Sequence, residues 1–197
     1  WHDWTKRMIN PLVDGKWAAL SGCSNSAKTF NIASFATLWW LSDPFHSSVM
    51  FVSTSIKSLR RRGWAEIQRI YSKLGQLHGS LNGNFVDSRM LWQVKKGDDK
   101  HAIIGKAVEE GPVTKVADDI KGVHTRRQMV IIDEATAVPE AIYDACANLF
   151  SYPDDFLLTT MANPRHRLDA FGRFSEPENG WTSINVETQR WIARPFS

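Results

Sequence analysis

The sequence predicts an α/β fold around a mostly parallel sheet, and two observations carry that prediction. Short β-prone apolar runs, among them residues 49–54 and 129–132, alternate along the chain with helix-length segments, the order expected of strand–helix crossover units. Those runs are apolar at nearly every position rather than every second one, as strands covered on both faces must be. A length of 197 residues, with 43% hydrophobic and 23% charged, suits one well-cored domain and would crowd two.

Taken in order, residues 17–22 form a short apolar run ending at Gly22, and the apolar segment from Lys28 to Leu41 has helix length and is closed by Ser42, Asp43 and Pro44. These read as strand, loop and helix. Residues 49–54 are the second strand, and Leu59, Trp64, Ile67, Ile70, Tyr71 and Leu74 give residues 56–77 near-helical spacing. After the Gly- and Asn-rich turns near residue 80, residues 85–94 alternate as a strand, and residues 95–100 form a polar turn. Residues 102–105 predict another short strand, and residues 111–121 a loop or short helix. Residues 129–132 predict a buried strand, 139–150 a helix, and 156–161 and 181–186 two further strands. No internal repeat is present.

Composition removes several function classes. Neither disordered nor collagen-like chains have this hydrophobic content with 12 Gly and 8 Pro dispersed. The densest apolar stretch, residues 35–41, falls far short of the ~20 residues a membrane-spanning helix needs, and the N-terminus lacks the apolar region of a signal peptide. A soluble protein without a membrane partner is expected. Two cysteines, Cys23 and Cys146, make neither a disulfide framework nor a zinc site, which points to a reducing compartment. A net charge of +3 is compatible with nucleic acid and does not require it.

Chemistry concentrates at three strand ends. Gly22, Cys23, Ser24, Asn25, Ser26, Ala27, Lys28 and Thr29 follow a predicted strand and open a predicted helix. This is a phosphate-loop pattern with Ala27 where a second Gly usually stands. Successive N–H groups and the positive helix end surround a polyphosphate, the Lys28 ammonium reaches its outer oxygens, and the Thr29 hydroxyl ligates Mg²⁺. Ala27 fits if it keeps an ordinary φ; the plainer alternative is a small-residue turn with Lys28 in solvent.

Asp133 and Glu134 end the run 129–132 at the carboxyl edge of the sheet, where open α/β folds bind ligands. In a phosphate-loop ATPase the first carboxylate holds the Mg²⁺ shell and the second orients or deprotonates the attacking water. Alternatively Asp133 caps a helix beginning near Ala135 and Glu134 faces solvent. Asn163 ends the run 156–161 at the same edge, where an amide can bind a terminal phosphate or the water, or simply form a turn with Pro164.

Residues 22–29, residues 120–124 leading into 130–135 with Val138, Pro139 and Glu140, and residues 158–164 together resemble the ATPase domain of the large terminase subunit, the DNA-packaging motor of tailed bacteriophages. The resemblance spans most of residues 17–181. It implies a phosphate-loop NTPase fold in which an added strand separates the two ATP-binding strands, with Glu134 as the base and Asn163 coupling hydrolysis to movement. It further implies Mg²⁺-dependent ATP hydrolysis that drives double-stranded viral DNA into a procapsid. The implied partners are a portal protein, a small terminase subunit and a ring of like subunits, usually five. The implied location is the host cytoplasm, docked on the portal. Relatives carry a nuclease domain after the ATPase, so residues 1–197 are expected to be a single ATPase domain excised from the N-terminal part of a larger protein.

Two departures stand out. The loop carries no Arg where many relatives have one, and the Gln that often reads adenine has no equivalent in residues 1–4. The missing charge is expected from a neighbouring subunit, with Lys121, the position matching a basic residue of some relatives, and Arg127 as candidates. Two other readings compete: a helicase-type nucleic-acid-dependent ATPase, and a degenerate module that binds nucleotide or DNA without hydrolysis. The runs Lys57, Arg60, Arg61, Arg62 and Arg165, His166, Arg167 can neutralise phosphates, although such runs are most often solvated faces.

Overall fold

The computed structural model describes residues 2–176, except Lys16, Ser80, Asn82, Gly111, Tyr152 and Pro153, together with Gly180. Its strands are β1 (Trp17–Ser21), β2 (Ser47–Ser53), β3 (Asn84–Val86), β4 (Leu91–Gln93), β5 (Ala102–Ala107), β6 (Arg127–Asp133) and β7 (Asp155–Ala162). They form one sheet in the order β1-β7-β6-β2-β5-β4-β3. The pairs from β1 to β5 are parallel and the last two antiparallel. The expected α/β architecture is therefore present, with β7 inserted between β1 and β6. The predicted strand 181–186 lies outside the described residues.

Helices cover both faces. The chain adds α1 (Asp3–Gly15), α2 (Lys28–Ser42), α3 (Ile56–Leu59), α4 (Ala65–His78), α5 (Val113–Gly122), α6 (Glu140–Ala147) and α7 (Ala170–Phe174). Because side chains alternate along a strand, Val49 and Phe51 of β2 and Met129 and Ile131 of β6 join Leu12, Ile32, Trp40 and Ile67 on one face. Met50, Val52, Val130 and Ile132 join Ile120, Ile142 and Phe171 on the other. Continuous apolar runs are what such two-sided burial requires.

Several elements differ from the sequence reading. Helix α1 was not expected: it carries Pro11 and buries only Thr5, Met8 and Leu12, too sparse a stripe to stand out. Residues 85–94 are two strands, with Phe85 opposite Trp92, because the 3₁₀ turn Asp87–Arg89 lies within the alternating pattern. The region 56–77 is helical but broken by a π-helical turn, Arg60–Trp64. There Gly63 packs so close to Phe51 that a Cβ would lie 2.9 Å from its ring. Most of the stretch 111–121 falls in α5 (Val113–Gly122), entered through Pro112, whose fixed φ suits a helix start.

Candidate active site

Strand register levels the carboxyl ends that matter. Ser21 pairs with Ala162 and Asp133 with Met161, so the chain leaves β1, β7 and β6 side by side. The Gly22 N–H extends the ladder to the Ala162 carbonyl at 3.2 Å.

Between β1 and α2 the backbone turns through Asn25 at φ 61 and Ala27 at φ 58. The expectation of an ordinary φ at Ala27 is thus overturned. The left-handed region costs a non-glycine residue roughly 1–2 kcal/mol, and side chains outside the loop hold it there. Asn31 donates both its N–H and its Nδ2 to the Ala27 carbonyl at 3.0 Å. Thr5 of α1 donates to Asn31 Oδ1 at 2.9 Å, and the Trp4 indole donates to the Ser26 carbonyl at 3.0 Å. The unexpected N-terminal helix is therefore a brace for the loop.

Lys28 is not simply solvated. Its ammonium donates to the carbonyls of Gly22 at 2.6 Å and Cys23 at 2.9 Å and to Ser26 Oγ at 3.1 Å. Burial pulls it below the ordinary lysine range, aided by the Arg62 charge and opposed by Cys23 and Asp133.

The two carboxylates occupy different environments. Asp133 is buried at 6% exposure, and its Oδ1 accepts from the Glu134 N–H at 2.9 Å. It caps no helix, since residues 135–137 form a single 3₁₀ turn without a side-chain cap. Desolvation raises its carboxyl above the ordinary range, although the Glu134 N–H and the Arg62 and Lys28 charges pull the other way. Glu134 takes φ 55, which aims its side chain back over the sheet edge, where Thr54 donates to Oε2 at 2.6 Å and Arg62 Nη1 lies 3.4 Å from Oε1. Burial alone would raise Glu134, but the Thr54 and Ser58 hydroxyls and Arg62 outweigh it and hold the carboxyl below the usual glutamate range.

Asn163 follows β7 and donates from Nδ2 to Ser24 Oγ at 3.1 Å, joining the third strand end to the loop. A cavity of about 580 Å³ collects residues 24–30, Asp133, Glu134 and Asn163, with Arg61, Arg62 and Arg165 on its wall. That volume is in the range of small-ligand sites.

Lys121 and Arg127 are not brought to this cavity. Lys121 is exposed in the last turn of α5. Arg127 opens β6, at the end of the strand remote from Asp133. It donates to Ser42 Oγ and Ser47 Oγ at 3.1 Å each, lies 3.7 Å from Asp155 and covers the Trp39 ring at 4.3 Å, the contacts of a residue that ties elements together. Sequence reasoning passed over Thr54, and it named Arg61, Arg62 and Arg165 only as members of charge runs able to neutralise phosphates. Thr54 had a signal, a polar end to the apolar run of β2, whereas the arginines sat in charge runs that nothing in the pattern oriented.

No family model and no curated protein sequence matches the chain. Among solved structures, it aligns with the large terminase ATPase domain of Thermus phage P74-26 at a TM-score of 0.61 and 15% identity, covering 91% of this chain and 72% of that one. The large terminase of a second, thermophilic bacteriophage aligns at 0.65 and 12% identity, over 98% of this chain and 53% of that one, so this chain spans about half its length. The latter protein in complex with ADP aligns at 0.60 and 16% identity, over 86% of this chain and 40% of that one. Likeness at such identities is likeness of fold, and the chain has the fold of large terminase ATPase domains.

Proposed function

We propose that this chain binds ATP with Mg²⁺ and hydrolyses it, as the ATPase part of a motor that moves double-stranded viral DNA. The observation that carries the reading is the convergence, at one sheet edge, of Lys28 in its loop, the carboxylates Asp133 and Glu134, and Asn163 hydrogen-bonded to the loop. The terminase relatives of like fold, one of them an ADP complex, support it.

The donor set suits magnesium. Among the described residues no three His, Cys, Asp or Glu side chains cluster as a metal cage. One carboxylate, Asp133, and the Thr29 hydroxyl leave a cation to fill its shell with phosphate oxygens and water, which is how Mg²⁺ is usually held beside nucleotides. Bound there, it neutralises phosphate charge. Lys28 and the loop N–H groups bind the outer phosphates. Glu134, ionised throughout the neutral range, orients a water and accepts its proton as the water oxygen bonds to the terminal phosphorus. The bond to the bridging oxygen breaks, with its electron pair leaving on ADP. Asn163, touching the loop from the end of β7, is the residue proposed to relate phosphate state to strand position. A portal protein, a small terminase subunit and a ring of like subunits in the host cytoplasm complete the proposal.

The test is ATP turnover with and without duplex DNA. Turnover that DNA stimulates and Glu134→Gln abolishes supports the reading. Tight ATP binding without turnover under either condition leaves a nucleotide-binding module instead.

A further inference from the structure

Resting on that ATPase reading, we infer that Arg62 is a catalytic arginine supplied by the same chain, whose guanidinium passes from the Glu134 carboxylate to the terminal phosphate of bound ATP. Residues 22–29 contain no Arg, and Lys28 is the one cation among them. A phosphoryl group in transfer spreads negative charge over its outer oxygens, and a positioned arginine is the usual remedy.

The backbone accounts for why Arg62, out of three arginines in a row, reaches Glu134. Residues 60–64 form a π-helical turn, which adds a residue to the helix and re-aims the side chains around it, a feature frequent at functional sites. The turn is pinned between the buried side chains Leu59 and Trp64 and by the close approach of Gly63 to Phe51. It sorts the run. Arg60 turns away and donates to the Asp87 and Ser88 carbonyls at 3.3 and 2.7 Å. Arg62 lines the cavity with its side chain half exposed, free to change partner.

Its present contact is a loose one. A single nitrogen, Nη1, lies 3.4 Å from Glu134 Oε1, far from the two-pronged pairing that guanidinium and carboxylate make when locked together. Phosphate oxygens carry more charge and accept the same fork. Arg62 also acts electrostatically on Lys28, Asp133 and Glu134 alike, as a charge central to the site does. Arg61 and Arg165 share the cavity wall, but the contact with the proposed base belongs to Arg62. The exchange has a functional corollary: ATP, and not ADP, draws the cation away and frees an oxygen of Glu134 for water.

The experiment compares wild type with Arg62→Ala and Arg62→Lys by ATP affinity, ADP affinity and single-turnover hydrolysis. Arg62→Ala is expected to keep ADP affinity within about twofold, which also verifies folding, while ATP affinity falls and turnover drops on the order of 10³-fold; Lys recovers part of both. Equal losses for ATP and ADP, or turnover within about threefold of wild type, overturn the inference. Mixing Arg62→Ala with Glu134→Gln subunits should recover nothing, because both lesions lie in one site; recovery would mean delivery across an interface and overturn the cis assignment. If wild type binds ATP without hydrolysing it, the ATPase reading fails by itself, and the ATP-over-ADP discrimination still decides whether Arg62 meets the terminal phosphate.

Discussion

Asp133 and Glu134 are adjacent in the chain, yet burial drives one carboxyl up while hydroxyls and Arg62 hold the other down. The difference assigns them separate experiments. A carboxyl raised above 3.8 in the folded state is neutral in both states under strong acid, costs stability increasingly as pH rises past the unfolded value, and carries the full cost once pH has passed the folded one. Asp133→Asn should therefore stabilise the nucleotide-free protein at neutral pH, with the gain vanishing in strong acid, while Mg²⁺ dependence of turnover is lost. Denaturant midpoints at the two pH values check this. Glu134→Gln keeps shape and removes the proposed proton acceptor, so ATP affinity should hold while turnover falls about 10²- to 10⁴-fold. Lys28→Ala should weaken Mg-ATP by at least about 10- to 100-fold, the worth of lost charged hydrogen bonds, as read by titration. Ala27→Gly carries the opposite sign from the usual helix-start substitution. It relieves a left-handed Ala, so stability should be unchanged or rise by up to about 1 kcal/mol, measured by thermal unfolding.

At the scale of elements, the π turn is the part whose disturbance separates packing from chemistry. Gly63→Ala places a methyl 2.9 Å from Phe51, and forcing that room should cost about 1–3 kcal/mol and displace Arg62. A denaturation curve and a turnover assay on the same sample should both register it. The turn also marks where the sequence stops being legible. Hydrophobic spacing located the helix between residues 56 and 77, because Leu59, Trp64 and Ile67 are buried and burial sets spacing. A π turn adds one residue, and its mark on the pattern is slight: the buried Leu59 and Trp64 stand five apart instead of three or four. Residues 24–29, the acid pair and Asn163, which line one cavity, stood out in the sequence for a different reason: each is a polar break at the end of an apolar strand. Arg62 did not, because its orientation depends on a backbone irregularity. Helix α1 was missed because a brace needs few buried residues, three in this case.

At the scale of the whole molecule, the question is what a neighbouring copy supplies. With Arg62 acting within the chain, specific activity should stay measurable in a dilute, verified monomer. A fall on dilution would instead restore the need for a neighbour's Lys121 or Arg127, and mixing Lys121→Ala with Glu134→Gln subunits would then recover activity. For Arg127→Ala a second effect is expected. It ties Ser42, Ser47, Trp39 and Asp155 together, so thermal stability should fall even in the monomer. On the proposed reading, Asn163→Ala should leave ATP binding intact and uncouple hydrolysis from DNA movement; DNA movement per ATP equal to wild type in that variant would sink the coupling role.

The insertion of β7 between β1 and β6 also bears on how the sheet breathes. Among the described residues β1 has a single strand partner, five pairs long, while β6 is held on both sides. Local opening of a sheet begins where pairing is one-sided, so the β1–β7 seam is a soft edge of the plate, as β3 is at the other end. Lys28 hangs from one side of the β1–β7 seam, and Asp133, Glu134 and Asn163 from the other. A nucleotide gripping both sides acts as a stitch across that seam. ATP should then slow amide hydrogen exchange at residues 17–21 far more than in β6, whose protection is already that of the sheet's centre.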